Sequence, residues 1–219
     1  MQIYFVRHGK TEWNLASRFQ GGHGDSPLLV TSLADITHLG RHLRGTRLRA
    51  IFASPLNRAF YTAQGIDQAM NARLPVVVDE RLREFNLGKL EGMNFKKADE
   101  QFPNEMTNFW HHPDLYDPTA IAGESYQSVI DRGRSFARDV ARQFSGDDDK
   151  VLAVSHGAAL AAIMGSLLGY PLADVRHRGG VSNTSLTILE TKDQGQHFVP
   201  VVWNETDYLQ RKLGQTDSL

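Results

Sequence analysis

Two histidines, each followed by glycine and each placed just after an apolar run, carry most of the chemistry in this chain. Gln2-Ile3-Tyr4-Phe5-Val6 leads into Arg7-His8-Gly9, and Val151-Leu152-Ala153-Val154 leads into Ser155-His156-Gly157. Imidazole is a competent nucleophile. An arginine fork can bind phosphate oxygens bidentately and neutralise them. Arg7 adjoins His8, and Arg58 lies in Ser54-Pro55-Leu56-Asn57-Arg58-Ala59. A departing alkoxide needs a proton, and Glu84 in Leu82-Arg83-Glu84-Phe85 is a carboxyl group that could supply one. Together these residue types point to phosphoryl transfer onto histidine.

Two other chemistries fit less well. Gly9-Lys10-Thr11 looks like the end of a P-loop, but that motif needs a glycine five residues before the Gly-Lys pair, and the position holds Tyr4. Metal hydrolysis needs about three convergent ligands. No H-E-x-x-H pair is present, and His111-His112 are adjacent, a poor geometry for sharing one ion. No metal site is expected. His23, His38, His42, His177 and His197 are assigned to surface or structural roles.

These groups must be positioned by strands and helices. Short apolar runs bounded by glycine read as buried strands, which places each His-Gly at a strand's C-terminal end, the edge where open α/β sheets bind ligands. Residues 34–43 and 58–70 read as helices, 50–53 and 75–79 as strands. Residues 126–144 carry Val129, Ile130, Phe136, Ala137, Val140 and Phe144 at helical spacing, with Ser125 as N-cap. A helix over 158–168 follows the Val151 strand, and 184–190 and 198–203 read as later strands. Alternation of this kind predicts an α/β fold, a three-layer α/β/α sandwich with a mostly parallel sheet. A single domain over 1–219 is expected, with 88–123 as a small helical cap insertion. That insertion is rich in aromatics (Phe95, Phe102, Phe109, Trp110, Tyr116) and carries no strand signal. It reads as a lid that shapes substrate choice, or as a peripheral hairpin with its own small core.

The composition excludes several classes. In 219 residues, 24 Lys+Arg balance 25 Asp+Glu, so bulk charge suggests neither nucleic acid nor a membrane surface as partner. The absence of cysteine removes disulfides, thiolate catalysis and zinc–thiolate sites. No apolar stretch approaches the ~20 residues of a membrane span. Met1 runs straight into a strand without the pattern of a signal peptide, and a cytoplasmic location is expected. Oligomeric state is not legible.

Arg7-His8-Gly9-Lys10-Thr11 with Asn14 and Arg18-Phe19-Gln20-Gly21 resembles the opening signature of the histidine phosphatase superfamily, which contains cofactor-dependent phosphoglycerate mutases and many phosphatases. The resemblance continues through Ser54-Pro55-Leu56, Arg58-Ala59 and Thr62-Ala63, then Leu82-Arg83-Glu84 with Gly88 and Glu91-Gly92. It ends with Gly123-Glu124-Ser125 and Ser155-His156-Gly157. By that resemblance His8 is the nucleophile, Arg7, Arg58 and His156 bind the phosphoryl group, and Glu84 is the proton donor. Asn14, Gln20, Gly21 and the Gly157 N–H contact phosphate oxygens, although Asn14 and Gln20 could instead shape the loop. The implied activity is a metal-independent phosphomonoesterase acting on a small phosphate ester, with no cofactor. A 2,3-bisphosphoglycerate-dependent phosphoglycerate mutase is the alternative, and a non-catalytic anion-binding module a more distant one. The mutase branch holds its substrate with an adjacent arginine pair in a longer cap, and residues 88–123 contain no arginine. Lys10 stands where the family usually has Glu or Gln; its charge could serve a polyanionic substrate or face solvent. Leu28-Leu29-Val30-Thr31-Ser32 matches the family's Pro-Leu-Thr-x-x-Gly only loosely.

Overall fold

Side-chain alternation along the first strand decides the layers. In the computed structural model, which describes residues 1–218, β1 spans Gln2–Arg7. Ile3 and Phe5 join one hydrophobic cluster, whereas Tyr4 and Val6 join another on the opposite face. The first cluster is completed by α6 (Tyr126–Gln143) and α7 (Gly157–Leu167), the second by α2 (Val30–His42) and α3 (Asn57–Met70). The result is the expected sandwich: helices on both faces of a six-stranded sheet. The other strands are β2 (Leu48–Ala53), β3 (Val76–Val78), β4 (Lys150–Ser155), β5 (Leu186–Glu190) and β6 (Val199–Glu205), in the order β3-β2-β4-β1-β5-β6.

Register explains why the chemistry converges. β1, β4, β2 and β3 are parallel, with Arg7 opposite Ser155, Ala53 opposite Val154 and Val78 opposite Ala53. Their C-terminal ends therefore share one edge, and the residues that follow (His8, His156, Ser54 and the 79–84 segment) leave the sheet side by side. β5 and β6 run antiparallel at the other side. The sheet is thus mixed, parallel over the four strands β3-β2-β4-β1.

The cap contains α4 (Phe95–Gln101), α5 (Pro103–His111) and short 3-10 turns, with no strand. It does not close on a core of its own. Leu90, Ala98, Met106, Phe109 and Ile121 belong to the cluster of Phe85, Tyr126 and Val129, and Tyr126 Oη donates to Phe109 O at 2.6 Å. Gly88, at φ +51°, anchors the insertion: a Cβ there would lie 2.0 Å from Ile121 O.

Boundaries differ where capping signals fail. α2 begins at Val30, four residues before the expected start, a start the sequence does not mark because N-cap Leu29 makes no side-chain bond and the apolar Val30 and Leu33 are exposed and off the buried stripe. A further one-turn helix, α1 (Glu12–Leu15), follows the Arg7-His8-Gly9 loop. β5 starts at Leu186 instead of 184, since Thr184 is left-handed (φ 58°) and turns its N–H back to Arg7 O at 3.0 Å. Ser125 caps α6 as expected, accepting from Ser128 N at 3.2 Å.

Candidate active site

The His8 ring is oriented by its own loop. Nδ1 lies 2.8 Å from Gly9 O, and a carbonyl can only accept, so Nδ1 carries the hydrogen and Nε2 keeps the lone pair. Burial first, then the charges of Arg58 and Arg7, push this imidazole well below its ordinary range, so it is neutral and nucleophilic at pH 7. His156 stands against it, with ring centroids 5.1 Å apart. Its Nε2 pairs with Ser54 Oγ at 2.7 Å, while Nδ1 is buried with no hydrogen-bond partner. Burial and Arg58 hold His156 neutral as well.

Both guanidinium groups are buried and held by backbone carbonyls. Arg7 Nη1 donates to Val181 O (2.7 Å) and Asp217 O (3.0 Å). Burial pushes Arg7 down to about 10, against the raising effect of Glu84 and Asp217. Arg58 is 1% exposed; Nη1 donates to Gly24 O (2.8 Å) and Asp25 Oδ1 (3.0 Å), and Nη2 to Gly21 O (2.8 Å). Arg58 Nε is buried without a partner. A charged donor in that condition is satisfied by an incoming oxyanion.

Glu84 reaches the N-terminus of α7. Its Oε1 accepts from Phe85 N (2.9 Å) and Ala159 N (2.7 Å), and Oε2 from Ala158 N (3.1 Å). Gly157 opens the same helix, and a first-turn N–H has no intrahelical acceptor, which suits it to bind an anion. From behind, Arg132 donates to the carbonyls of Arg81 (2.7 Å), Arg83 (2.6 Å) and Glu84 (3.2 Å), and pairs with Glu124 at 3.1 Å.

The 11–26 loop supplies the remaining wall. Asn14 Oδ1 accepts from Thr11 N (3.1 Å) and Thr11 Oγ1 (3.0 Å), and Gln20 is held at both ends by Thr11 (2.8 Å) and Ser26 (3.1 Å). Both side chains therefore shape the loop while lining the cavity. Gly21 has φ +63°, and a Cβ there would strike the Glu91 carboxylate. That carboxylate collects the N–H groups of Gly22 (3.1 Å), His23 (3.0 Å), Gly24 and Leu87 (3.1 Å). Glu91 thus sets the carbonyls that hold Arg58.

Arg7, His8, Asn14, Gln20, Gly21, Arg58, Glu84 and Gly157 line one open cavity of about 60 Å³, whereas His156 is fully buried behind the His8 ring and is not among the lining residues. Phe19, Leu87, Phe95, Phe109 and Trp110 form its apolar wall, and exposed Arg18 stands at its mouth. Lys10 reaches neither substrate space nor open solvent: its ammonium pairs with Asp217 at 3.2 Å, with 11% of the side chain exposed. Sequence reasoning assigns no role to Ser54, Arg132 or Asp217, nor to Glu91 beyond its place in a motif. The contacts that bring them to the site, such as Ser54 to His156 and Asp217 to Arg7, span 102 and 210 positions and cannot be read from local spacing. Among the described residues no group of three or more His, Cys, Asp or Glu converges on a metal-binding position, and no helix is long and apolar enough to cross a membrane.

Residues 3–206 match the histidine phosphatase superfamily (branch 1), and the chain belongs to that family. It is similar to a probable phosphoglycerate mutase GpmB of Salmonella paratyphi A, 30% identical over 196 residues that cover 88% of this chain and 86% of that one. Among solved structures it is similar to YhfR of Bacillus stearothermophilus, at 31% identity and a TM-score of 0.86 over 94% of this chain and 98% of that one. It is also similar to the mycobacterial glucosyl-3-phosphoglycerate phosphatase solved with VO3, at 29% identity and a TM-score of 0.82 over 93% of this chain and 98% of that one.

Proposed function

We propose that this protein is a metal-independent phosphomonoesterase that works through a phosphohistidine on a small phosphorylated metabolite, without a cofactor. The observation that carries the reading is the His8 ring: neutral, its Nε2 lone pair fixed by the Nδ1–Gly9 bond, between two buried guanidinium groups. The phosphate monoester binds to Arg7, Arg58, His156 and the Gly157 N–H, with the amides of Asn14 and Gln20 and the Gly21 backbone bordering it. Nε2 attacks phosphorus in line as the ester P–O bond breaks, and Glu84 delivers its proton to the departing oxygen. Water then gives a proton to Glu84 and its oxygen attacks phosphorus. The P–N bond breaks, returning neutral His8, protonated Glu84 and inorganic phosphate. The buried arginines are oriented before charge develops on the equatorial oxygens, so little reorganisation is needed during transfer.

A second reading has a specific motive, since relatives at 30% and 33% identity bear the name probable phosphoglycerate mutase GpmB. In that reading 2,3-bisphosphoglycerate would load His8, and a substrate hydroxyl would replace water. Against it, the cap contributes only apolar side chains, Phe95, Phe109 and Trp110, to the cavity. A coupled assay on 3-phosphoglycerate with and without 2,3-bisphosphoglycerate separates the two, with p-nitrophenyl phosphate alongside. Phosphate release without 2-phosphoglycerate, abolished in His8→Ala, is the expected result. Isomerisation outpacing phosphate release would overturn it, and no turnover with either substrate would leave an anion-binding module.

A further inference from the structure

The C-terminal segment reaches Arg7 through a backbone carbonyl. Asp217 is 1% exposed, and its carboxylate is the centre of a charged cluster. It accepts from Arg211 Nη2 (2.7 Å) and Nη1 (3.1 Å), from Gly214 N (2.7 Å), and pairs with Lys10 Nζ (3.2 Å). Arg211 is tied in turn to Asp35 of α2 at 2.8 Å. The Asp217 backbone turns the other way. Its carbonyl accepts from Arg7 Nη1 (3.0 Å) and from Asn183 N (2.9 Å). Asn183 Nδ2 donates to His8 O at 3.1 Å, so Asn183 links the Asp217 carbonyl to the His8 backbone.

From this arrangement we infer that Asp217 is a positioning residue for phosphate binding: the Lys10–Asp217–Arg211 cluster holds the 214–218 segment so that its carbonyl orients the Arg7 guanidinium. The inference rests on the phosphomonoesterase reading above. It also gives Lys10 a role that involves no substrate contact. Lys10 follows the Arg7-His8-Gly9 tripeptide directly, so its bond to Asp217 ties the nucleophile loop to the segment beneath Arg7. A buried carboxylate with two cations and a backbone N–H is well compensated, and removing its charge leaves Lys10 without its counterion while Arg211 keeps only Asp35. The Asp217 charge also counters the depression that burial imposes on Arg7.

The test is a double-mutant cycle read by kcat/KM on p-nitrophenyl phosphate and by calorimetric binding of inorganic phosphate. Asp217→Asn keeps the side-chain shape and removes the charge. It should weaken phosphate binding and kcat/KM together by roughly 10-fold, the scale of one misplaced charge-assisted hydrogen bond. Lys10→Gln should cost about 3-fold, because Arg211 still holds the carboxylate. The discriminating arm is Arg7→Lys, whose side chain lacks the fork that the Asp217 carbonyl orients. In that background Asp217→Asn should cost less than about 2-fold, since residues acting through one another are not additive. A loss that persists in full in Arg7→Lys would mark Asp217 as a general stability residue, and wild-type phosphate affinity in Asp217→Asn would also overturn the inference. If Asp217→Asn does not fold, Lys10→Gln carries the same cycle. Absence of turnover in the wild type would refute the enzyme reading and leave the phosphate-binding arm intact.

Discussion

Replacing Glu84 by glutamine separates its chemical role from its structural one. The carboxylate receives three backbone N–H bonds, two on Oε1 and one on Oε2. The substituted amide can turn its oxygen to Phe85 N and Ala159 N, but its NH2 then faces the Ala158 N–H, donor against donor. Leaving the Ala158 N–H unsatisfied in a site only 9% exposed costs about 2 kcal/mol. At roughly 2–4 °C per kcal/mol for a chain of this size, Tm should fall by about 4–8 °C, leaving the protein folded at 25 °C. The kinetic loss has a different signature. An alkyl phosphate needs a proton on its departing oxygen, and loss of a general acid should slow it by roughly 100- to 10,000-fold. Nitrophenolate departs without protonation, so its formation of phosphohistidine should slow by less than about 10-fold. The assay is single-turnover burst kinetics on p-nitrophenyl phosphate, compared with phosphate release from an alkyl phosphate. Equal losses on the two substrates would remove Glu84 from the acid role and leave it as a purely structural link between the 79–84 segment and α7.

Glu91→Ala should release the N–H groups of Gly22, His23 and Gly24, shift the carbonyls that grip Arg58, and weaken phosphate affinity by roughly 10-fold, measured by product inhibition. Stability should fall with acid: His8 and His156 stay neutral in the fold below their ordinary value of 6.5 while the unfolded chain takes up protons. Each histidine contributes about 1.4 kcal/mol per pH unit once pH is well below 6.5, so urea midpoints at pH 7, 6 and 5 should decline less steeply in His8→Asn. An unchanged slope would show that His8 is already protonated in the native protein. Dialysis against EDTA should leave kcat/KM unchanged, and strong inhibition reversed by added metal would refute the metal-independent reading.

The residues legible in the sequence are those that a parallel sheet positions by itself. His8, His156 and Arg58 follow strands whose ends share one edge, so a motif just after each strand suffices to predict their convergence. The same logic reaches Glu84, although a 3-10 turn over Glu80–Leu82 intervenes after β3. The two cap helices are too short to show a periodic pattern, yet local signals mark their starts. Asn94 accepts from Lys96 N at 3.0 Å as an N-cap, and Pro103 opens α5. The supporting contacts have no such signal. Glu91 meets residues about 67 to 69 positions away, and Asp217 is 210 positions from Arg7. Lys10 shows the cost of reading a charge without its partner: its sign suggests substrate or solvent, and its counterion lies in the C-terminal segment.

One helix start links Glu84 to the Gly157 wall of the cavity, and this constrains how the proposed acid and phosphoryl site can move. α7 presents Ala158 and Ala159 N–H to Glu84, and Gly157 to the cavity. The distance from Glu84 to His8 is therefore set by how α7 sits on the sheet relative to β1, not by side-chain rotamers alone. That seating is tight. A Cβ on Gly133 of α6 would lie 2.2 Å from Ile163, and one on Gly165 would lie 2.0 Å from Val175 O. Ala159, Leu160, Ala161, Ala162, Ile163 and Met164 are all buried along the helix. Small residues let α7 approach closely, and close packing resists sliding because every displacement opens a void or forces a clash. A helix that holds both Glu84 and the Gly157 amide at the cavity gives the proposed acid and anion site preorganisation only if it cannot shift, and the glycine and alanine content of α6 and α7 supplies that rigidity.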